Sequence, residues 1–261
     1  MEHPNLYAEV SSNHGADPAR CLRFVSVAAD IGCRGVVFQQ TRSRGFGPGA
    51  VRGVPEAMWP RVALLAARRG IELGATPFYA RAVDVLEPWV DFWRLSSFQI
   101  DQREILRAVA STGKPVVLAA GHGNLCEVSA ALAALRAARC GTVELLHSVP
   151  GLPAPAERSE LASISTLRET FGLEVGWSDH SREAQVLQRA VARWGAHRVH
   201  VHFDLDGQGS EYVFGHCWLP AELAPVFAGP LETAALSERS PLDGDGRLGL
   251  RSARWARRLV S

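Results

Sequence analysis

The chain has 261 residues, 47% of them hydrophobic and 21% charged, with a formal net charge of +1. That length and apolar share suit one large core and exclude a disordered chain. The near-neutral balance argues against nucleic acid as a partner, and no apolar run reaches the roughly 18 residues of a membrane span.

In chain order, short β-branched or apolar runs at 6–10, 35–40, 72–78, 92–97, 115–121, 143–149, 174–180 and 198–205 read as strands. Helical patterns fall between them, most clearly at 17–31, 55–69, 102–111, 125–138, 159–171 and 182–195. Pro18 suits a first helical turn, and Gly70 and Gly172 fall where a left-handed residue stops a helix. Eight strands alternating with helices predict an α/β fold, a (β/α)₈ barrel built as a single domain. Two loops break the rhythm, at 41–54 and 206–219, and both follow strand C-termini, where barrel active sites sit. From about residue 229 the chain turns polar and Arg-rich and is read as a tail outside the barrel. The N-terminus, MEHPNLYAEV, lacks the features of a secretory leader, so a cytoplasmic protein is expected. Five cysteines, with no CxxC pair, predict reduced thiols rather than disulfides or a thiolate zinc site.

Polar residues recur at the strand ends: Glu9, Gln39, Thr76, Ser97, His122, His147, His180 and His202. Polar groups inside a barrel are costly unless hydrogen-bonded or used, so a polar cup for a small molecule is expected at this rim. The eighth run, RVHVHFDL, alternates; His200, His202 and Asp204 share one side, and Val199, Val201, Phe203 and Leu205 the other. The apolar side must meet the helices, so the His/His/Asp side is predicted to point inward. With His180 on the neighbouring strand, this favours a divalent metal held by His180 and His202. Imidazole ligands suit Mn²⁺, Zn²⁺ or Fe²⁺, while Mg²⁺ prefers oxygen.

The pieces AEVSSNHG from Ala8, VVFQQ from Val36, GIELGATPF from Gly70, RLSSFQ from Arg94, TGKPVVLAAG from Thr112, LLHSVPGLPAP from Leu145, FGLEVGWSDHS from Phe171 and VHVHFDLD from Val199 resemble, in order and spacing, the barrel domain of the N-acetylneuraminate (sialic acid) synthase family. The resemblance implies condensation of phosphoenolpyruvate with the open-chain aldehyde of a sugar, with loss of phosphate. It implies Mn²⁺ before Zn²⁺, Fe²⁺ or Mg²⁺, on the histidines matching His180 and His202, and a carboxylate at Glu9 that handles protons at a pKa tuned by burial. The sequence departs from the family at Val37 and Arg94, where the family carries lysines, and at Gln99, where it carries glutamate. Ala119, Ala120, Val149 or Pro150, His200 and Val201 also replace family residues.

The expected catalytic residues are therefore Glu9, Arg94, Gln99 and His200. Gln39, Thr76, Ser97, Ser178, His147, Glu211, His216 and Trp218 are expected around the substrate. The sequence ends near where the family's antifreeze-like domain begins, and a homodimer stays open. Two alternatives remain: a metal-dependent aldolase, lyase, isomerase or hydrolase acting on a polyol or hydroxy acid, and a binding protein without chemistry.

Overall fold

The computed structural model describes residues 5–42 and 51–228. Eight strands pair in parallel, in chain order: β1 (Asn5–Ser11), β2 (Gly35–Gln40), β3 (Glu72–Pro77), β4 (Phe92–Leu95), β5 (Val116–Ala119), β6 (Val143–Ser148), β7 (Val175–Asp179) and β8 (Arg198–His202). Pairing of β8 with β1 closes the sheet into a (β/α)₈ barrel, as expected. Helices α1 (Pro18–Asp30), α2 (Trp59–Arg69), α3 (Ala80–Leu86), α4 (Arg103–Ser111), α5 (Leu125–Ala137), α6 (Ser163–Phe171) and α7 (Ala184–Ala192) join the strands, and the short α8 (Pro220–Leu223) follows β8.

The local reasons are visible in the caps. Asp17 accepts hydrogen bonds from the amides of Ala19 and Arg20 with Pro18 in the first turn, so α1 starts there. Asn124 and Glu127 form a reciprocal capping box on α5. Gly70 ends α2 in the left-handed region. The short α3 had no distinct signal in the sequence. The helix expected from 159 begins only at Ser163, because Ala156–Arg158 forms a separate 3₁₀ turn.

Side-chain alternation sorts the strands into two apolar layers. Val36, Phe38, Leu73, Ala75, Val199 and Val201 face outward and join the helices in the large core. Tyr7, Val37, Phe92, Val117, Ala119 and Leu146 fill the barrel's middle. A Cβ on Gly74 would lie 2.4 Å from the Phe92 ring, so glycine makes room for that inner layer. Below it, charge closes the N-terminal end. Arg198 lies over the Tyr7 ring at 4.5 Å and meets Glu144 at 2.7 Å, and Tyr7 donates to Glu72 at 2.8 Å. The inner layer is thus a floor, and the site can open only at the other end.

Cys21, Cys33 and Cys217 are buried and all five cysteines are free thiols. Among the described residues no helix is long and apolar enough to cross a membrane. The tail from 229 and much of the 41–54 loop lie outside the described residues.

Candidate active site

A cavity of about 500 Å³ opens at the C-terminal rim. Of the residues expected there, Glu9, Gln39, Arg94, Ser97, His180, His202 and Glu211 line it. Ser12, Ser96, His122 and Ser148 add polar wall, and Phe78, Leu152 and Phe214 add apolar wall.

Glu9 stands on β1 at the centre of the floor, with its side chain 4% exposed. Its Oε1 is ion-paired with Arg94 Nε and accepts from His200 Nδ1, both at 2.9 Å, which leaves Oε2 toward the cavity, 4.0 Å from His202 Nε2. Burial pushes the carboxyl pKa up, but Arg94, the His200 hydrogen bond and the neighbouring imidazoles outweigh it and hold the group well below the usual carboxylate range. The sequence leads to the expectation of a carboxylate that handles protons at a pKa tuned by burial; here its partners outweigh burial, and Glu9 is an anion, fit to accept hydrogen bonds or a proton. His200 sits beneath it, fully buried and stacked on Tyr7 at 4.7 Å. It orients Glu9 rather than meeting a substrate, which corrects its expected catalytic contact.

Two imidazoles flank that carboxylate. His180, just past β7, gives its Nδ1–H to the Val149 carbonyl at 2.9 Å, so its Nε2 keeps a free lone pair. Burial and the nearby imidazole of His202 press its pKa down to about 3, so the ring is neutral. The His202 ring centroid lies 5.3 Å away. A bulge at the end of β1, between Glu9 and Ser11, puts Ser11 at φ 50. Its Oγ meets His202 Nδ1 at 3.1 Å and accepts from Gln39 at 3.0 Å. Glu211 reaches over from the loop after β8, anchored by the Ser12 amide at 3.0 Å, and His216 is buried beside His202 with ring centroids 4.6 Å apart.

Several expected residues belong elsewhere. His147 faces outward from β6, donates to the Ser159 carbonyl at 3.0 Å and packs 5.2 Å from Trp177. Ser148, the next residue, takes the inward place. Trp218 lies outside the wall with its indole on Asp179 at 3.3 Å. Gln99 is consumed as a turn cap, accepting from the Ser96 amide and donating to the Pro77 carbonyl. Asp204 lies beyond the end of β8 and pairs with Arg20 at 2.6 Å, so it does not point into the barrel. Thr76 is buried below the cavity, and Ser178 meets Arg94 Nη2 at 3.3 Å without lining it. Ser148 and Ser12 escaped sequence reading because nothing distinguishes them from other loop and strand-end serines. Phe214 carried a weak signal as an aromatic in a long rim loop.

A closed parallel barrel with ionised carboxylate and neutral imidazoles at its C-terminal mouth is a barrel enzyme in design. A family model described as the NeuB family matches residues 52–233, and the chain belongs to that family. It is 27% identical over 231 residues to the N,N'-diacetyllegionaminic acid synthase of Campylobacter jejuni, covering 79% of this chain and 69% of that protein. It is 24% identical over 232 residues to the pseudaminic acid synthase of Helicobacter pylori, covering 79% and 67%. The crystal structure of N-acetylneuraminic acid (sialic acid) synthetase from Leptospira borgpetersenii, in complex with citrate, superposes with a TM-score of 0.77 at 25% identity, over 87% of this chain and 82% of that one. A DAHP synthase from Thermotoga maritima shares the fold with a TM-score of 0.72 at 14% identity. With relatives named as synthases of sialic-acid-like sugars, the chain is an enzyme of the condensing, synthase class.

Proposed function

We propose that this protein condenses phosphoenolpyruvate with the open-chain aldehyde of a sugar or sugar-like acceptor, in a metal-dependent reaction that yields a 3-deoxy-2-keto acid. The observation that carries this reading is that Glu9, His180 and His202 line one cavity, with Glu9 Oε2 4.0 Å from His202 Nε2 and the two imidazole centroids 5.3 Å apart. The donor set fits a divalent ion. His180 Nε2 is free because its other nitrogen is tied to a carbonyl, the arrangement that orients metal-binding imidazoles. His180 and His202 would hold the ion, with Mn²⁺ the first candidate and Zn²⁺, Fe²⁺ or Mg²⁺ the others. When bound it supplies a Lewis acid for the aldehyde oxygen.

The chain's own residues do the rest. C3 of phosphoenolpyruvate forms the new bond to the aldehyde carbon, water adds at C2, and phosphate leaves. Glu9 Oε2, kept ionised by Arg94 and His200, accepts a hydrogen bond or proton from an acceptor hydroxyl or from the water. Gln39 and Ser97 at the wall can orient the substrate's oxygens. The apolar wall of Phe78, Leu152 and Phe214 limits water around them.

One observation favours a second reading, the same carbonyl chemistry on a less anionic donor such as a hydroxy acid. Arg94, which stands where the family has a lysine, is already paired with Glu9. The single lysine of the chain, Lys114, donates to the Val90 carbonyl away from the cavity. The test is phosphate release from phosphoenolpyruvate with Mn²⁺ and a panel of aldoses. Release with at least one acceptor supports the condensation. No release with any acceptor sinks it, and cleavage of a hydroxy acid by the metal-loaded protein would then carry the second reading.

A further inference from the structure

His202 presents two different edges. Its Nε2 edge faces the cavity, Glu9 and His180. Its Nδ1 edge faces the loop after β8, 3.7 Å from Glu211 Oε2, and that same oxygen lies 3.8 Å from His216 Nε2. These separations are too long for hydrogen bonds. Yet three ligand atoms, one each from His202, Glu211 and His216, lie within 4.8 Å of one another. Donors around a tetrahedral ion with bonds of about 2.1 Å stand roughly 3.4 Å apart, so the two Glu211 separations need to contract by a few tenths of an ångström and the two imidazoles by at most about 1.4 Å. Two features aim it. The Ser12 amide holds Glu211 Oε1, which turns Oε2 toward the rings. His216 is fully buried, and its Nε2, the atom turned to Glu211, has beside it only the weak donor Cys217 Sγ at 3.8 Å. Its Nδ1 has no partner either, so no strong hydrogen bond holds the ring, a cost that an ion on Nε2 would offset.

We propose that His202, Glu211 and His216 form a second divalent-cation site on the loop side of the rim, with a two-nitrogen, one-oxygen donor set that takes Zn²⁺ or Co²⁺ over Mg²⁺. A neutral imidazole has one nitrogen with a free lone pair, so His202 serves one ion at a time. An ion on the loop side takes Nδ1 from the Ser11 hydroxyl, which meets it at 3.1 Å, and withdraws the ring from the pair with His180. The loop site is therefore a competitor of the cavity ion, and Zn²⁺ in excess opposes the metal that supports catalysis. Only this competition rests on the proposed function; the loop site stands on its own geometry.

The test is Co²⁺ titration of the metal-stripped full chain, read by visible absorption, with Zn²⁺ displacement and circular dichroism to check folding. H180A breaks the cavity pair and leaves the loop set whole, so it is expected to bind one Co²⁺ with the intense band of a four-coordinate ion. Adding E211Q or H216N to H180A is expected to weaken that binding at least about 10-fold. An H180A protein that binds no Co²⁺, or E211Q and H216N in that background with unchanged affinity and spectrum, overturns the loop site. Should H216N fail to fold, E211Q, whose side chain is 20% exposed, carries the same comparison. Wild-type protein that holds two Co²⁺ per chain at once overturns the competition. The cavity reading fails separately, if an E211Q/H216N protein with its loop set removed binds no metal at all.

Discussion

The two ends of the barrel both bury charge, and they do it in opposite ways. At the N-terminal end two floor acids meet bases or donors directly: Glu144 with Arg198 at 2.7 Å and with His197, and Glu72 with Arg34 and Tyr7. At the C-terminal end Glu9 is bonded on one oxygen only, while its other oxygen, His180, His202 and Glu211 converge on open space without bonding one another. Closed pairs make a plug that serves the fold. Converging groups left apart carry a continuing desolvation cost, which a bound ligand or ion would offset. The difference separates a site from a floor within one sheet.

The sharpest way to break this contrast is at His202, the ring common to both proposed cation sets. H202N is expected to lower phosphate release by about 10³-fold or more and to abolish Co²⁺ binding while the fold persists; retained metal and activity would remove the upper end's distinction. Next is the closed pair under the cavity, Arg94 with Glu9. R94A leaves Glu9 buried without its guanidinium and is expected to cost about 3–5 kcal/mol in denaturant unfolding, besides weakening catalysis. A loss under 1 kcal/mol would mean that solvent reaches Glu9.

A third comparison uses acid. Burial presses His147 from the ordinary histidine value down to about 4, despite its hydrogen bond to Ser159. The unfolded chain therefore takes up that proton first, and stability falls as pH drops from about 6.5 toward 4. H147Q, which keeps a donor for the Ser159 carbonyl, is expected to flatten this stretch of a melting-temperature profile of metal-free protein. An unchanged slope would assign the effect to other groups. The smallest effect belongs to the floor. Burial raises the Glu144 pKa, but His197 and Arg198 lower it further, for a net decrease. Its contribution is thus present above the ordinary glutamate value of about 4.3 and is lost as pH falls through the depressed folded value. E144Q is expected to cost about 1 kcal/mol at neutral pH and to leave turnover unchanged, which calorimetry and a phosphate assay would check together.

The architecture was legible because strand and helix periods alternate eight times, and the strand starts fell within a residue of those expected. The short α3 was lost because seven residues, Ala80–Leu86, hold too few turns to show a period. Site residues were legible where the outward face was plain. In RVHVHFDL the valines declare the helix-facing side, so the inward course of His200 and His202 could be read. In VELLHS both faces are apolar, and polarity alone pointed to His147 when the inward parity belongs to Ser148. Asp204 failed for another reason: the strand ends at His202, and alternation carries no information past a strand end.

Period and composition, which are local, were enough to determine a closed α/β barrel, the rim that carries its chemistry and the histidines that belong there. Three things were decided only by the folded chain: that Arg94 spends its charge on Glu9, that Glu9 is consequently an anion, and that Glu211 and His216 arrive at the far edge of His202. Each depends on atoms brought together from remote parts of the sequence by the barrel's register and by a bulge in β1, and no pattern along the chain encodes such distances.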